Sequence, residues 1–470
     1  MLEESRIYSF FATIVAWFSL QFQNSRCIEV FLTDNSNENA SGNSLFYKLF
    51  LWFRKVLSGI FYGLHLHKIF DGSIFKMTFV WGILTVVVAP FMPTMLVFVM
   101  VLASFGSLLL AFVYDKKRKL RNFVIDKYIY FYAVAYLFST MTSVARKGSL
   151  LGGLLSVSFM LFAIVLMNAI ETKKQLHTMV FFVICIGVLV SLYGFYQYLF
   201  PAKFSGVWHD KEMFEDISFR VYSTLGNPNV LGEYLLLVIP LAFAYFLNSK
   251  AWLGKLFFLG CCGAMMLCLV LTYSRGCYVG ILIATAVFLV ILDRRFLILG
   301  VLGLLALPFI LPPTIINRFL SIGNMEDSST SYRVFIWMGT IAMLKDYWLC
   351  GIGPGTDAFN MVYPAYAYNS ISAPHSHNLY LQIICDAGII GFALFMAVLY
   401  QFYKGTFGAL SREKDKKNCI LIISAISAIS GFLVQSLFDY TFYNYRVMLL
   451  FWVVIAFGMI FTKLPELREE

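Results

Sequence analysis

Charged residues are scarce in this chain. Only 13% of its 470 residues are Asp, Glu, Lys or Arg, whereas 60% are hydrophobic. Soluble domains carry roughly 25% charged residues, so this composition excludes an ordinary soluble domain. The apolar runs are continuous and about 16 to 23 residues long, which favours membrane-spanning helices over the short alternating strands of a membrane barrel.

Several common motifs are also missing. The nine cysteines form no CxxC pair and no Cys/His zinc spacing, so we expect packing roles for most of them rather than a disulfide framework. The segment CGIGPGTDAF (350–359) lacks the GK[ST] ending of a nucleotide-binding P-loop. Its glycines and proline are more typical of a structural bend, although phosphate binding stays open.

The hydropathy pattern predicts an all-α fold: a polytopic membrane protein of about twelve transmembrane helices with one large extracytoplasmic loop that contains short helices. The predicted spans are 78–92, 94–114, 128–145, 150–169, 178–200, 230–247, 256–273, 277–292, 296–311, 380–403, 418–438 and 446–462.

The first 75 residues are ambiguous. Segment 44–64 is rich in aromatic residues but contains Lys48, Arg54 and Lys55, a pattern that favours an amphipathic helix at the membrane surface. Segment 7–22 is either a further span or a second interfacial helix. We therefore divide the chain into an N-terminal extension (1–75), spans 1–9 (76–311), the large extracytoplasmic loop (312–378), and spans 10–12 with a cytoplasmic tail (379–470).

The positive charge indicates the orientation. Lys and Arg collect in cytoplasmic loops, and the strongly basic segment DKKRKLRNFVIDK (115–127) should be one of these. The same side of the predicted topology holds the C-terminal tail and four further loops, with only Arg146 and Lys147 as an exception. Topology thus explains the net charge of +10, and we expect no nucleic-acid partner. The four further basic loops are 171–174, 248–255, 293–295 and 403–418.

Two arginines on the opposite side lie beside helix starts. Arg220 precedes the turn GNPN (226–229), after which a helix should begin near Asn229 and offer N–H groups to an anion. Arg275 stands in LTYSRG (271–276) at the junction of two spans, where Ser274 and Gly276 let an anion approach the backbone. In either case the arginine could instead extend to lipid headgroups.

The large loop contributes Arg333 and a histidine pair. Arg333 lies in SYRVFIWMGTIAMLKDYW (331–348), whose helical spacing predicts a helix along the membrane surface. His375 and His377 occur in APHSHNLYLQ (373–382) and would share one face only in an extended segment. A metal would need further ligands, so we expect none. One histidine should be catalytic or contact an anion, and the other should be structural.

These residues together predict an anionic ligand at the outer leaflet. Arginine matches phosphate oxygens in a bidentate geometry, and a membrane groove suits a ligand with an apolar tail. A lipid-linked diphosphate meets both requirements.

Over roughly residues 180–440, the chain resembles the O-antigen ligase and O-antigen polymerase superfamily of bacterial membrane glycosyltransferases. The resemblance rests on the ordered set RVYSTLGNPN, LTYSRG, SYRVFIW, WLCGIGPGTDAF and HSHNLYLQ. The resemblance implies a multi-pass protein of the bacterial cytoplasmic (inner) membrane with an extracytoplasmic active site. It implies an inverting transferase without cofactor or metal. Its partners would be an undecaprenyl-diphosphate-linked glycan donor, a glycan or lipid acceptor, and membrane lipids.

The resemblance also implies residue roles. Arg220, Arg275 and His377 match the family's functional residues and are the expected catalytic residues; His377 is either a general base or a diphosphate contact. Asp439 and Glu233 are carboxylates in or near predicted spans, and we expect one of them to orient a basic residue. Asp386 departs from the Glu of many members. The expected substrate-binding residues are Arg333, Asn227, Asn229, Ser274, His375 and Asn378.

Three alternatives stay open. The donor is the same for a ligase and for a polysaccharide polymerase, and the acceptor distinguishes them. A membrane transporter, such as the bicarbonate transporters to which some relatives have been assigned, belongs to a different class, but no broken mid-membrane helices are evident. A scaffold of a secretion or sporulation complex is the third alternative.

Overall fold

A computed structural model describes residues 45–68, 74–115, 118, 120–204, 219–310, 312–324 and 327–469, and it confirms an all-α fold. No β-strand forms among these residues. The sixteen α-helices are α1 Leu45–Gly63, α2 Ile74–Val88, α3 Thr94–Tyr114, α4 Asp126–Thr142, α5 Arg146–Ala169, α6 Lys173–Leu199, α7 Pro228–Asn248, α8 Trp252–Leu271, α9 Arg275–Asp293, α10 Phe296–Ile310, α11 Pro313–Leu320, α12 Ser328–Tyr347, α13 Thr356–Val362, α14 Leu379–Leu410, α15 Lys416–Gln435 and α16 Tyr445–Phe461.

Every predicted span coincides with a helix, from α2 to α10 and from α14 to α16. Eight helices in the described part of the chain are long and apolar enough to cross a membrane, namely α3, α5, α6, α7, α8, α9, α14 and α15. The other four, α2, α4, α10 and α16, have 15 to 17 residues. The chain is thus a multi-pass membrane protein, and the count of twelve spans stays a prediction.

The centre of the bundle is α16. Its residues from Val447 to Phe461 are all buried, and it packs against α5, α7, α14 and α15. Beside it, α9 and α15 approach closely where Gly280 faces Gly431: a Cβ on Gly280 would lie 2.9 Å from the Gly431 carbonyl oxygen. Small residues allow such contacts between helices in membranes. This contact brings the start of α9 to the end of α15, next to the candidate site.

The large loop (312–378) contains α11, α12 and α13, and the helix expected over 331–348 is confirmed as α12. It is anchored by the bend at CGIGPG, where Gly351, Gly353 and Gly355 all have positive φ. Ile352, inside this bend, donates its N–H to Cys385 O of α14 (2.7 Å). The loop has its own apolar core, formed by Ile336, Met343, Leu344, Ile352, Ala358, Phe359, Val362, Tyr363, Ala373 and Cys385.

The amphipathic segment 44–64 forms helix α1, as predicted. Arg54 holds it against the end of α3 by donating to the carbonyls of Phe112 (2.9 Å) and Asp115 (2.8 Å), which the helix leaves without intrahelical partners. Its position at the membrane surface stays a prediction. Segment 7–22 and Cys27 lie outside the described residues, and the eight described cysteines are free.

Basic segments meet at one end of the bundle. Arg118 and Arg468 both pair with Glu171, and Lys173 pairs with Glu469 (2.5 Å). Helix α6 runs from this end to the opposite one, where Gln197 near its last turn bonds to the 219–227 segment. The candidate site residues lie at that opposite end.

Candidate active site

A cavity of about 820 Å³ opens between the starts of α7 and α9, helix α12 of the large loop, and the segment before α14. Nonpolar side chains at its wall include Val279, Val334, Trp337 and Phe438. Seven of the nine predicted site residues line this cavity: Arg220, Asn227, Asn229, Ser274, Arg275, Arg333 and His377. The other two, His375 and Asn378, do not.

Arg220 is buried at the back of the cavity. Its Nε donates to Thr272 O (2.7 Å) and its Nη2 to Asn229 Oδ1 (3.0 Å), so the guanidinium joins the turn before α9 to the first turn of α7. Burial, together with the nearby charges of Arg318 and Arg333, lowers the pKa of Arg220 to about 9. Since this pKa remains above neutrality, the side chain offers a positive charge to the cavity at physiological pH.

A second cationic group consists of Arg275 and Arg318. Arg275 Nη1 donates to Asp327 Oδ2 (2.6 Å) and to Ser321 O (3.0 Å), and Arg318 Nη1 lies 3.3 Å from the same Asp327 oxygen. Arg318 also donates to Tyr273 O (3.3 Å). Burial and the charge of Arg275 lower the pKa of Arg318 to about 10. The Asp327 carboxylate thus holds two arginines near the N-terminus of α9.

Arg318 was not among the predicted site residues. It lies in PTIINRFL, a short segment before the predicted surface helix, and its sequence neighbours carry no motif. The available signal was a single basic residue in a mostly apolar segment of the predicted outer loop, which was insufficient to distinguish it from a surface arginine.

His377 forms a hydrogen-bonded pair with Asp439. The His377 Nδ1 lies 3.0 Å from Asp439 Oδ1, which also accepts the N–H of Tyr440 (2.9 Å). The second oxygen, Oδ2, accepts from Asn229 Nδ2 (2.9 Å) and lies 3.7 Å from Arg333 Nη2. Burial alone would raise the pKa of Asp439, but the hydrogen bond from His377 and the charge of Arg333 hold it below its ordinary value. Asp439 is therefore an ionised carboxylate at the centre of the site.

Arg333 projects from α12 into the cavity. Its Nη1 donates to Ser329 Oγ (2.6 Å), one turn earlier on the same helix. The Arg333 Nε is buried and has no hydrogen-bond partner among the described residues. A buried N–H without an acceptor is costly, and an anionic ligand in the cavity would satisfy it.

His375 lies on the other side of the same turn. Its ring is 4.2 Å from that of His377 and 4.7 Å from that of Tyr443, centroid to centroid, and it lines a separate cavity of about 70 Å³. Burial, together with His377, lowers the pKa of His375 to about 3, so the imidazole stays neutral.

Together, His375, His377 and Asp439 bring three possible metal-ligand atoms within 4.8 Å of one another. However, the guanidinium of Arg333 already lies against the carboxylate, and further arginines line the adjoining cavity. Like charges repel strongly in such a partly buried site, so the residues present fit an anion better than a divalent cation.

Three of the predicted binding residues occupy N-cap positions, and two of them, Asn227 and Asn378, cap their helices with side-chain hydrogen bonds. Asn227 caps α7, and its neighbour Pro228 is the first residue of that helix, one position before the predicted start. Ser274 immediately precedes α9. Asn378 caps α14 by accepting from Leu381 N (3.0 Å), while its Nδ2 donates to Leu437 O (2.8 Å). The amide of Asn378 is therefore engaged within the protein, outside the cavity.

Among the residues that the structure describes, Glu233 forms no ion pair with a basic side chain. It is buried in α7 and accepts from Gln435 Nε2 (3.2 Å), and Gln435 in turn lines the cavity. Of the two carboxylates considered from the sequence as orienting groups, Asp439 is the one that contacts His377.

The site thus combines four arginines with a histidine–carboxylate pair in one groove. Arginines can bind the oxygens of a phosphorylated ligand, and a histidine whose Nδ1 is held by a carboxylate presents Nε2 to a hydroxyl group. The nonpolar wall can contact an apolar chain.

Comparison with known proteins agrees with this chemistry. Residues 258–396 match the model of the family described as O-antigen ligase. The matched segment contains Arg275, Arg318, Arg333 and His377, whereas Arg220 and Asp439 lie outside it. The chain is also 23% identical over 355 residues to the exopolysaccharide production protein ExoQ of Rhizobium meliloti (strain 1021), with 71% of this chain and 78% of the relative aligned. The resemblance to the O-antigen ligase superfamily is thus confirmed for this multi-pass membrane protein, and both similarities support a polysaccharide-related, glycosyltransferase-like function.

Proposed function

We propose that the protein transfers a glycan from undecaprenyl diphosphate to an acceptor hydroxyl on the outer face of the bacterial cytoplasmic membrane. The observation that carries this proposal is the His377–Asp439 pair, which faces the same cavity as four arginines. The basic segments around Glu171 lie at the opposite ends of the helices, which supports an extracytoplasmic site.

The arginines bind the diphosphate of the donor. Arg220 and Arg275 lie at the starts of α7 and α9, where helix N-termini add partial positive charge, and Arg333 offers its unpartnered Nε. As the bond to the sugar breaks, negative charge accumulates on the leaving diphosphate. Fixed positive charges at that position stabilise the transition state more than the ground state.

His377 activates the acceptor. Because Nδ1 donates to Asp439, the lone pair for the proton is on Nε2, with the tautomer inferred from the hydrogen bond. The acceptor oxygen forms a bond to the anomeric carbon while its proton passes to Nε2. The bond from that carbon to the diphosphate oxygen breaks, and undecaprenyl diphosphate leaves. Direct displacement of this kind inverts the anomeric configuration.

The acceptor is a glycan or a lipid, as in a ligase. A polymerase, which passes the chain to another lipid-linked repeat, is the second candidate. It is favoured by the relative ExoQ, whose name refers to exopolysaccharide production.

The test is glycan transfer by the purified protein supplied with undecaprenyl-diphosphate glycans, with products identified by mass spectrometry. His377→Ala and Arg275→Ala should each abolish transfer at normal membrane abundance. Matched controls are His177→Ala, a histidine bonded to Tyr245 near the start of α6, and Arg294→Ala, an exposed arginine just beyond the other end of α9. Both controls should retain transfer. Unchanged transfer in both site variants would contradict the proposal.

The same preparation tests the transporter alternative. Proteoliposomes that contain the protein should show no protein-dependent solute uptake under conditions in which glycan transfer is active. Uptake that depends on the protein, without transfer, would instead support a transporter.

A further inference from the structure

A buried carboxylate lies beneath the site, near the start of α14. Asp386 is 1% exposed and is outside the cavity that holds the arginines. It accepts from Tyr136 Oη (2.8 Å) and Gln382 Nε2 (2.9 Å), and at longer range from Tyr440 Oη (3.4 Å). Three donors from two helices and from the segment before α16 thus converge on one side chain.

Through Gln382, Asp386 acts on the backbone beside His377. Gln382 Oε1 accepts the N–H of Ser376 (2.8 Å), and Ser376 Oγ donates to Asn378 O (2.9 Å). The intervening residue, His377, has a φ of +49°, in the left-handed region that L-residues with side chains rarely adopt. Such a conformation persists only where the surroundings impose it. The hydrogen bond at Ser376 is one of these restraints.

Through Tyr440, the same carboxylate also reaches the partner of His377. Tyr440 directly follows Asp439 and donates its backbone N–H to Asp439 Oδ1 (2.9 Å), while its hydroxyl contacts Asp386. Both members of the His377–Asp439 pair are therefore adjacent in sequence to a residue that is linked to Asp386.

The carboxylate also decides which way the Gln382 amide points. A carboxylate only accepts hydrogen bonds, so the NH₂ of Gln382 faces Asp386 and its oxygen faces Ser376. An amide at position 386 could instead turn its own NH₂ toward Gln382. The Gln382 amide would then reverse and present NH₂ to the Ser376 N–H, which removes the hydrogen bond.

We propose that Asp386 is a positioning residue for glycan transfer. By fixing the orientation of the Gln382 amide, it keeps the His377 ring within hydrogen-bonding distance of Asp439. The inference rests on the proposed function, since it assumes that the His377–Asp439 pair performs the proton transfer.

Reciprocal variants test it. Asp386→Asn and Gln382→Glu should each lower kcat by about 10- to 100-fold, because small misplacements of a reacting group cost about that much. The KM for the donor should change less, since the arginines that bind it are untouched. In the double variant, the new amide donates to the new carboxylate, which again accepts from Ser376, and the tyrosines again donate to an oxygen. Its kcat should return to near the wild-type value.

A second measurement does not depend on catalysis. The His377 side chain is 20% exposed, so its carbethoxylation by diethyl pyrocarbonate can be followed by peptide mass spectrometry, with His177 as reference. The rate at His377 should change in each single variant, as the ring is released from Asp439, and should return to the wild-type value in the double variant.

The outcomes separate the two proposals. A wild-type kcat in Asp386→Asn, or no rescue in an abundant double variant, would overturn the positioning role. If the wild-type protein transfers no glycan, the proposed function fails. In that case the carbethoxylation rates alone decide whether Asp386 positions His377: reversal in the double variant supports it, and unchanged rates overturn it.

Discussion

Asp439→Asn is the substitution whose effect follows most directly from the site. The carboxylate has donors on both sides, His377 and Tyr440 N at Oδ1 and Asn229 and Arg333 at Oδ2. A carboxylate accepts from all of them, whereas an amide must direct its NH₂ to one of the two sides.

Among these partners, His377 can change from hydrogen-bond donor to acceptor at Nδ1, because a neutral imidazole has two tautomers. We expect the new NH₂ to face His377, which places the imidazole proton on Nε2 and removes the lone pair that accepts the proton of the acceptor hydroxyl. General base catalysis contributes about 10²- to 10⁴-fold, so kcat should fall by this factor, or by about 3 to 5 kcal/mol of transition-state stabilisation.

The assay is glycan transfer by the purified variant, with kcat and the KM for the undecaprenyl-diphosphate donor measured separately. The KM should change less than kcat, since Arg220 and Arg275 keep their positions. A kcat within about threefold of wild type at normal membrane abundance would refute the reasoning, because His377 would then not depend on the carboxylate for its tautomer.

Two further predictions concern other parts of the site. Arg318→Ala should lower kcat/KM for the donor by about 10- to 100-fold, which corresponds to the loss of one charge-assisted hydrogen bond to phosphate. The control Arg294→Ala should leave kcat/KM unchanged. Equal kcat/KM values for the two variants would exclude Arg318 from donor binding. His375 has a pKa of about 3 in the folded protein, so only the unfolded chain takes up its proton as the pH falls below about 6.5. Its contribution to stability is therefore complete above that pH and is lost toward pH 3, with a limiting slope of about 1.4 kcal/mol per pH unit. Thermal unfolding in detergent between pH 6.5 and 4.5 should be less pH-dependent in His375→Asn, and identical slopes would contradict this.

The helices were predictable because hydropathy marks the apolar middle of each one. Their ends were less so, since polar capping residues determine them. Helix α6 begins at Lys173, five residues before the predicted span, where Thr172 and Gln175 form a reciprocal cap. Helix α14 continues to Leu410, beyond the predicted end at 403, because its last turns are amphipathic rather than uniformly apolar.

The location of the site was also predictable in outline. Arginines beside helix starts on one side of the topology indicated an anion site, and seven of the nine residues do line one cavity. The partners were not predictable, because they depend on packing between distant segments. The carboxylate that contacts His377 is 62 residues away in sequence. The carboxylate shared by Arg275 and Arg318 is Asp327, which precedes α12, whereas the two arginines lie in α9 and α11.

The two carboxylates among the arginines have a consequence for turnover. Asp327 and Asp439 offset part of the charge of the four arginines, which leaves two positive charges to be balanced by the ligand. Under the proposed function, a donor in which both phosphates are esterified would neutralise the cavity. Transfer frees one ester position, and the product then gains further negative charge, since a terminal phosphate has a second pKa near 6. The groove would thus hold the spent carrier more tightly than the donor, and undecaprenyl diphosphate should compete with the donor for the site.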